Sequence, residues 1–333
     1  MQTRQLGKGG PHVHPMGIGA MSFSNFYGAT NAVDSYAILD AAMAAGVTHI
    51  DTANVYGQGN SETVIGTYFK ANKAAADHFT IATKGSITRN PDGPGNIFDN
   101  SAQHLEAELE GSLKRLGLEA VDLYYVHRRD PAIPIEEVTQ TLANLVKSGK
   151  TKAIGFSEIA PTSLRRAHAV HPVAAVQSEY SLSTRSPEMG LVQTCAELDV
   201  ALVAFSPVGR SLLTDTPLSH VAVQSLGFLA NNPRFQEPNY SANIAAIATF
   251  QALAGEMGIS AAGLAIAWVL AQGEHVIPIP GTRSVKHFAQ LLEGADRALS
   301  TDDLAAIDQV LPIGWAHGDR YSAAQWTGPE KYC

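Results

Sequence analysis

An acid, a phenol, an amine and an imidazole stand at or just past the ends of short apolar runs in the first half of the chain: Asp51, Tyr56, Lys84 and His127. Together these types can deliver a proton. A free phenol titrates at about pH 10, too high for easy donation at neutral pH. A nearby ammonium stabilises the phenolate and lowers that value, and a carboxylate keeps the ammonium charged and oriented. An imidazole can hydrogen-bond the reacting oxygen and relay protons. Such a set protonates a carbonyl oxygen while hydride reaches its carbon, or runs the reverse. Each residue alone is ordinary, so the elements that carry them must bring them together.

The run V-T-H-I-D at 47–51 reads as a buried strand that stops at Asp51 and turns through small residues to Tyr56 and Gly57. An Ala-rich helix over 33–45 precedes it, delivered through Gly46. Strands at 79–84 and 121–127 end on Lys84 and His127, and helices over 61–70, 102–116 and 134–147 fall between and after them. The alternation continues with strands near 153–158, 173–179, 201–207 and 275–279, and helices at 161–169 and 190–198. Helical runs at 243–257, 260–271 and 285–292, and one starting at Thr301, complete the chain. A first strand at 17–21 follows turn signals at Gly7, Gly9, Gly10 and Pro11, which predict a small hairpin. Eight strands, nearly continuously apolar and separated by helices, predict an α/β fold: a (β/α)8 TIM barrel, formed by residues 1–333 as one domain. The N-terminal β-hairpin precedes it, and long loops at 22–31, 86–100 and 209–240 lie at its C-terminal face, where substrate specificity is expected.

Composition removes several classes of function. With 45% hydrophobic and 16% charged residues the chain is an ordinary folded protein. A net charge of −8 with no basic run argues against nucleic acid, and no apolar run is long enough to imply a membrane partner. Two cysteines, Cys195 and Cys333, support neither a disulfide framework nor a zinc site, and a cytoplasmic protein is expected. No metal is expected: His12 and His14 read as exposed loop histidines without a third ligand. The G-I-G at 17–19 lacks the third glycine and the immediate helix of a dinucleotide fingerprint. Trp268 reads as core, and the aromatic residues Phe23, Phe26, Tyr27, Trp315, Tyr321, Trp326 and Tyr332 are divided between packing and a pocket wall. Oligomeric state leaves no trace in the sequence.

The stretches H-I-D-T-A-N-V-Y-G, the strand-end Lys84 and D-L-Y-Y-V-H-R-R-D-P closely resemble the aldo-keto reductase superfamily, including its potassium-channel β-subunit-like branch. R-Q-L-G, G-F-S-E, V-Q-S-E-Y-S, A-F-S-P-V-G-R, N-N-P-R-F-Q and I-P-G-T-R-S-V extend the likeness through most of the chain. The resemblance implies a barrel that binds NADP(H) in extended form, with NAD(H) as the alternative, and acts on a small carbonyl or alcohol substrate. It implies Tyr56 as general acid, Lys84 as modulator of its pKa, Asp51 as partner of Lys84, and His127 as orienter of the carbonyl. Ser157 and Gln177 are expected to hold the nicotinamide carboxamide, and Phe205 to stack on the ring. Ser206, Pro207, Gly209 and Arg210 are expected along the pyrophosphate, with Leu212 and Leu213 closing over it. Gly281, Thr282 and Arg283 are expected around the 2′-phosphate, with His287 and Gln290 on the adenine side. The chain departs from the family pattern at Glu158, where asparagine is usual, and at His287, Gln290 and Leu291. The reading is a carbonyl reductase; its rivals are a sugar or alcohol dehydrogenase working in the oxidative direction and a nucleotide-binding regulatory module.

Overall fold

The computed structural model describes residues 3–90, 93 and 95–332, so Cys333 and part of the expected 86–100 loop lie outside the described residues. Among the described residues twelve strands occur in chain order: β1 Arg4–Gln5, β2 His12–Val13, β3 Ile18–Gly19, β4 His49–Asp51, β5 Thr80–Gly85, β6 Ile87–Arg89, β7 Asn96–Phe98, β8 Leu123–Val126, β9 Ile154–Ser157, β10 Ala175–Glu179, β11 Ala201–Phe205 and β12 Val276–Pro278. β1 and β2 form the expected N-terminal hairpin, pairing Arg4 with Val13.

Eight of the strands make one sheet in the order β12-β11-β10-β9-β8-β5-β4-β3, with every neighbouring pair parallel. At the two edges, Gly17 N donates to Pro278 O and Gly19 N to Pro280 O, each at 2.9 Å. The sheet therefore curls until its first and last strands meet, an arrangement consistent with a (β/α)8 barrel.

Strand periodicity divides the core in two. Ala82, Leu123, Tyr125, Ala175, Ala201, Val203 and Ile277 point into the curled sheet, where Leu6 and Val13 of the hairpin join them. Their sequence neighbours Ile81, Tyr124, Val126, Val176, Leu202, Ala204 and Val276 point outward, against the helices. Small residues make room for Tyr125: a Cβ on Gly155 would lie 2.5 Å from its ring. Helix Ala261–Leu270 is apolar on every side and entirely buried, with Trp268 in its last turn, and Trp268 belongs to the core as its sequence predicts.

Three expectations change. The 86–100 stretch, read as loop from its Gly, Pro and Asn content, contains the antiparallel pair β6–β7. His14 is buried, its Nδ1 accepting from Met16 N, because the hairpin folds it against the chain that follows. The 209–240 segment is built from short helical turns, including His220–Gln224 and Gly227–Ala230. No single described helix is long and apolar enough to cross a membrane, and no group of potential metal ligands occurs among the described residues.

Candidate active site

The inward phase of the sheet continues past its apolar layer. Counting by twos, Ala82 leads to Lys84, Tyr125 to His127, Gly155 to Ser157, Ala175 to Gln177 and Val203 to Phe205. Asp51 has the same phase on β4, since Ile50 faces the helices. Six polar or aromatic side chains thus converge at the carboxyl ends of the strands, five because each is an even step from an inward position and Asp51 because it is one step from the outward Ile50.

The ammonium of Lys84 is completely buried and ion-paired with Asp51 Oδ1, whose side chain is 2% exposed. It also donates to Thr52 O at 2.8 Å and to Tyr56 Oη at 3.3 Å. The second oxygen of Asp51 accepts from Gln177 Nε2 at 2.7 Å. Tyr56 reaches this position on a tight turn, with its N–H on Ala53 O and its own carbonyl accepting from Ser61 N. Gly57 permits the turn: its φ is +60°, and a Cβ there would come within 3.0 Å of the Ser24 side chain. The imidazole of His127 lies edge-on to the Tyr56 ring, with centroids 5.7 Å apart, and its Nδ1 is buried without a hydrogen-bond partner.

Burial dominates the electrostatics. It pushes the Tyr56 phenol above its ordinary value, with Lys84 pulling the other way and Asp51 adding to the rise. Lys84 alone suggested a lowered phenol; burial reverses the net sign, and the ammonium only limits the increase. For Lys84 itself burial favours the neutral amine, but Asp51 and the Tyr56 oxygen outweigh it and keep the group charged. Burial, then the charges of Lys84 and Arg128, hold His127 well below its ordinary value, so its ring is neutral at physiological pH.

Around this centre the remaining expected residues fall into two groups. Ser157 Oγ accepts from Arg128 Nη1 at 2.9 Å and is buried, as is Gln177. Phe205 is half-buried at the end of β11, followed by Ser206 at a left-handed φ of +50° and by the buried Pro207 and Gly209. Arg210 turns its side chain onto Glu179 Oε2 at 2.7 Å, between the rings of Phe228 and Tyr321. Leu212 and Leu213, expected over the pyrophosphate, are fully buried. Farther along the rim, Gly281, Arg283 and His287 are exposed, Thr282 is half-buried, and Arg283 donates to Ala29 O at 2.8 Å. Ser284 caps helix Val285–Ala295, and Gln290 from that helix bonds Asp215 at 3.3 Å.

Several contacts at the site join residues that no motif links. Glu158, with φ +57°, accepts from Ser178 Oγ and Glu179 N on one oxygen and pairs with Arg320 on the other. Its carboxylate is therefore fully occupied, one oxygen by β10 and the other by the C-terminal tail, which answers the departure from asparagine. Arg320 stacks on Tyr321 and Trp326, each 4.8 Å from its guanidinium, and Tyr321 in turn contacts Phe228. Phe26 meets Phe228 at 5.4 Å, so the 22–31 loop, the 209–240 segment and the tail join in one aromatic wall. Phe23 and Trp315 belong to the core.

Known proteins share this architecture along its whole length. The model of the Aldo/keto reductase family matches residues 15–312. Probable aldo-keto reductase 1 of Glycine max is 38% identical over 322 residues, covering 96% of this chain and 92% of the relative. Aldo-keto reductase yakc of Schizosaccharomyces pombe, whose name carries NADP(+), is 34% identical over 96% of this chain and 94% of its own. Among solved structures, the glycerol dehydrogenase AKR11B4 from Gluconobacter oxydans superposes with a TM-score of 0.80 at 26% identity, covering 99% of this chain and 98% of the neighbour. With a family match across nearly all its length, this chain belongs to the aldo/keto reductase family.

Proposed function

We propose that the protein reduces aldehyde or ketone carbonyls to alcohols with NADP(H), or runs the reverse, with Tyr56 as the general acid or base. The observation that carries this reading is the buried contact of Lys84 Nζ with both Asp51 and Tyr56 Oη, the latter at 3.3 Å. An ammonium held there has no packing use that an apolar side chain would not serve better. It does stabilise a phenolate at the moment the phenol gives up its proton. The neutral imidazole of His127 offers an N–H to the same carbonyl oxygen and polarises it. Asp51 keeps the ammonium in place through both half-reactions.

When bound, the dinucleotide supplies or accepts the hydride at its nicotinamide. The residues present fit it. Arg128 donates to Ser157 Oγ, which leaves the hydroxyl hydrogen of Ser157 to give to a carboxamide oxygen. Gln177 gives its N–H to Asp51, which leaves Oε1 to accept from the carboxamide nitrogen. Phe205 offers a ring face, while Ser206, Pro207, Gly209 and the backbone of Arg210 line the path to the rim. Gly281, Thr282 and the exposed Arg283 stand before the start of helix Val285–Ala295, which suits a 2′-phosphate. His287 and Gln290 flank the adenine side. The whole chain acts as one barrel domain closed through its edge strands, and the buried free Cys195 suits a reducing cytoplasm.

The likeness to a glycerol dehydrogenase favours one second reading, oxidation of a small alcohol as the working direction. Both readings are tested by incubating the protein with reactive aldehydes and NADPH at neutral pH, and with polyols and NADP+ in alkali. Turnover is expected in at least one direction and is expected to vanish in Tyr56→Phe. A protein that turns over neither set, or whose Tyr56→Phe variant works as well as the wild type, sinks the proposal.

A further inference from the structure

Arg128 follows His127 directly and is gripped from every side. Its N–H donates to Ser86 Oγ, and its carbonyl accepts from Ser86 Oγ at 2.9 Å and from Asn100 Nδ2 at 3.0 Å. Its stem packs under the tail, where a Cβ on Gly328 would lie 2.8 Å from Arg128 Cδ. The guanidinium is fixed through one nitrogen only: Nη1 donates to His127 O at 2.7 Å and to Ser157 Oγ at 2.9 Å. Both hydrogens of Nη1 are therefore used, and the side-on edge formed by Nε–H and Nη2–H remains whole. That edge is the one that matches the two oxygens of a carboxylate.

Three other guanidiniums at this end of the fold have acids of their own, whereas Arg234 and the exposed Arg283 bond only to neutral oxygens. Arg210 has Glu179, Arg320 has Glu158 and Arg129 has Glu330. Among the described residues no carboxylate lies within ion-pair distance of Arg128, and its Nε and Nη2 make no hydrogen bond. Its Nη1 bridges His127 O and Ser157 Oγ, which sets the guanidinium beside the imidazole at the strand ends, and its charge bears on Tyr56, His127 and Glu158, lowering all three. A half-buried cation that is held rigid, lacks an acid and adjoins the proton donor has the form of a recognition element.

We propose that the Nε/Nη2 edge of Arg128 binds a carboxylate carried by the substrate, so that the preferred substrates are oxo-carboxylates. This rests on the carbonyl-reductase reading above and narrows its substrate class. The reacting carbonyl sits between Tyr56 and His127, and the carboxylate of the same molecule turns toward β9. Arg128 then acts as a specificity residue, since neutral carbonyls meet the same proton donor without the second anchor.

The test compares glyoxylate and 4-oxobutanoate with their methyl esters, which keep the shape and remove the charge. In the wild type kcat/KM is expected to favour the acid. In Arg128→Met the acid-to-ester ratio is expected to fall about tenfold to a hundredfold, the range of a lost charge-assisted pair. Arg128→Lys, a single-point cation, should restore part of the ratio. NADPH affinity, read from quenching of protein fluorescence, should fall far less than the acid-to-ester ratio in both variants, since Arg128 reaches the cofactor side only through the Ser157 hydroxyl. A wild type that treats acids and esters alike overturns the proposal without any variant. So does a variant that loses NADPH affinity and both activities in equal measure, since Arg128 would then serve the carboxamide. If no ester, acid or simple aldehyde is turned over, the reductase reading falls and this proposal falls with it; turnover without preference for acids removes this proposal alone.

Discussion

Lys84→Met separates what the buried ion pair does for stability from what it does for chemistry. Methionine fills a similar volume, but the ammonium disappears from a site where it is fully buried beside an Asp51 side chain only 2% exposed. Asp51 is left with Gln177 Nε2 as its remaining side-chain donor, and Thr52 O loses its contact with the ammonium. Breaking a buried pair by removing one partner costs about 3–5 kcal/mol, whereas replacing both by neutral groups is often nearly neutral. The variant should therefore unfold at markedly lower urea, followed by the fluorescence of the buried Trp268 and Trp315. Lys84→Met/Asp51→Asn should recover most of the loss, because no uncompensated charge remains. Activity should not recover. Without the ammonium the phenol rises further, and general-acid assistance worth about a hundredfold to ten-thousandfold is forfeited in both variants. Alcohol oxidation, which needs the phenolate, should fall more than carbonyl reduction. A Lys84→Met protein with wild-type stability would mean that the pair is not a buried ion pair. A double variant that reduces carbonyls at near wild-type rates would mean that proton delivery does not run through Lys84 and Tyr56.

Other expectations follow from the same geometry. Burial holds His14, His49, His127 and His275 below the ordinary value of 6.5. Below that pH the unfolded chain binds protons that the native state refuses, so stability present above it is lost as pH falls through it. For the fully buried His49 and His127 the slope is at most about 1.4 kcal/mol per pH unit each. Urea midpoints measured from about pH 7.5 to 5.5 should fall, and less steeply in His49→Asn; a midpoint flat across that range contradicts the account. Gly155→Ala puts a Cβ 2.5 Å from Tyr125 Cε1 and 2.7 Å from Ala175 O, and should cost about 1–3 kcal/mol or more by thermal unfolding. Adding Tyr125→Leu should return only part of that, because the Ala175 carbonyl stays; full recovery would show that the ring alone was in the way. Arg283→Ala should weaken NADP+ binding about tenfold to a hundredfold and leave NAD+ unaffected. Equal NADP+ affinity in that variant removes Arg283 from the phosphate site.

What could be read in advance was whatever depends on local period. Each strand ends within a few residues of its expected limit because apolar runs, glycines and prolines are local signals. Lys84, His127, Ser157, Gln177 and Phe205 come together for the same reason, each an even number of steps from an inward position, and Asp51 joins them one step past the outward Ile50. What depends on distant partners was not legible. The pairing of Ile87 with Phe98 gives a hairpin to a stretch whose composition reads as loop. Glu158 and Arg320 are 162 residues apart, and neither has a neighbour in sequence that announces the pair. Arg128 was visible as the residue after His127, but only the use of Nη1 by His127 O and Ser157 Oγ reveals which edge stays open. The sign of the Tyr56 shift needed the degree of burial, which no motif carries.

Asp51 has a wider part than the partnership with Lys84 implies. Its two oxygens face different halves of the reaction: Oδ1 holds Lys84, and Oδ2 holds the N–H of Gln177 at 2.7 Å. Through the first it fixes the ammonium against Tyr56, the proposed proton donor. Through the second it decides which end of the Gln177 amide faces away from Asp51, an acceptor rather than a donor. A carboxamide nitrogen needs an acceptor, and the hydroxyl of Ser157 is free to serve the carboxamide oxygen. One buried carboxylate thus orients both the proposed proton donor and one of the two contacts proposed to orient the hydride donor. That double duty accounts for an acid at the end of β4 where burial makes any charge costly, since a neutral residue could satisfy Gln177 or pack beside Lys84 but not compensate its charge.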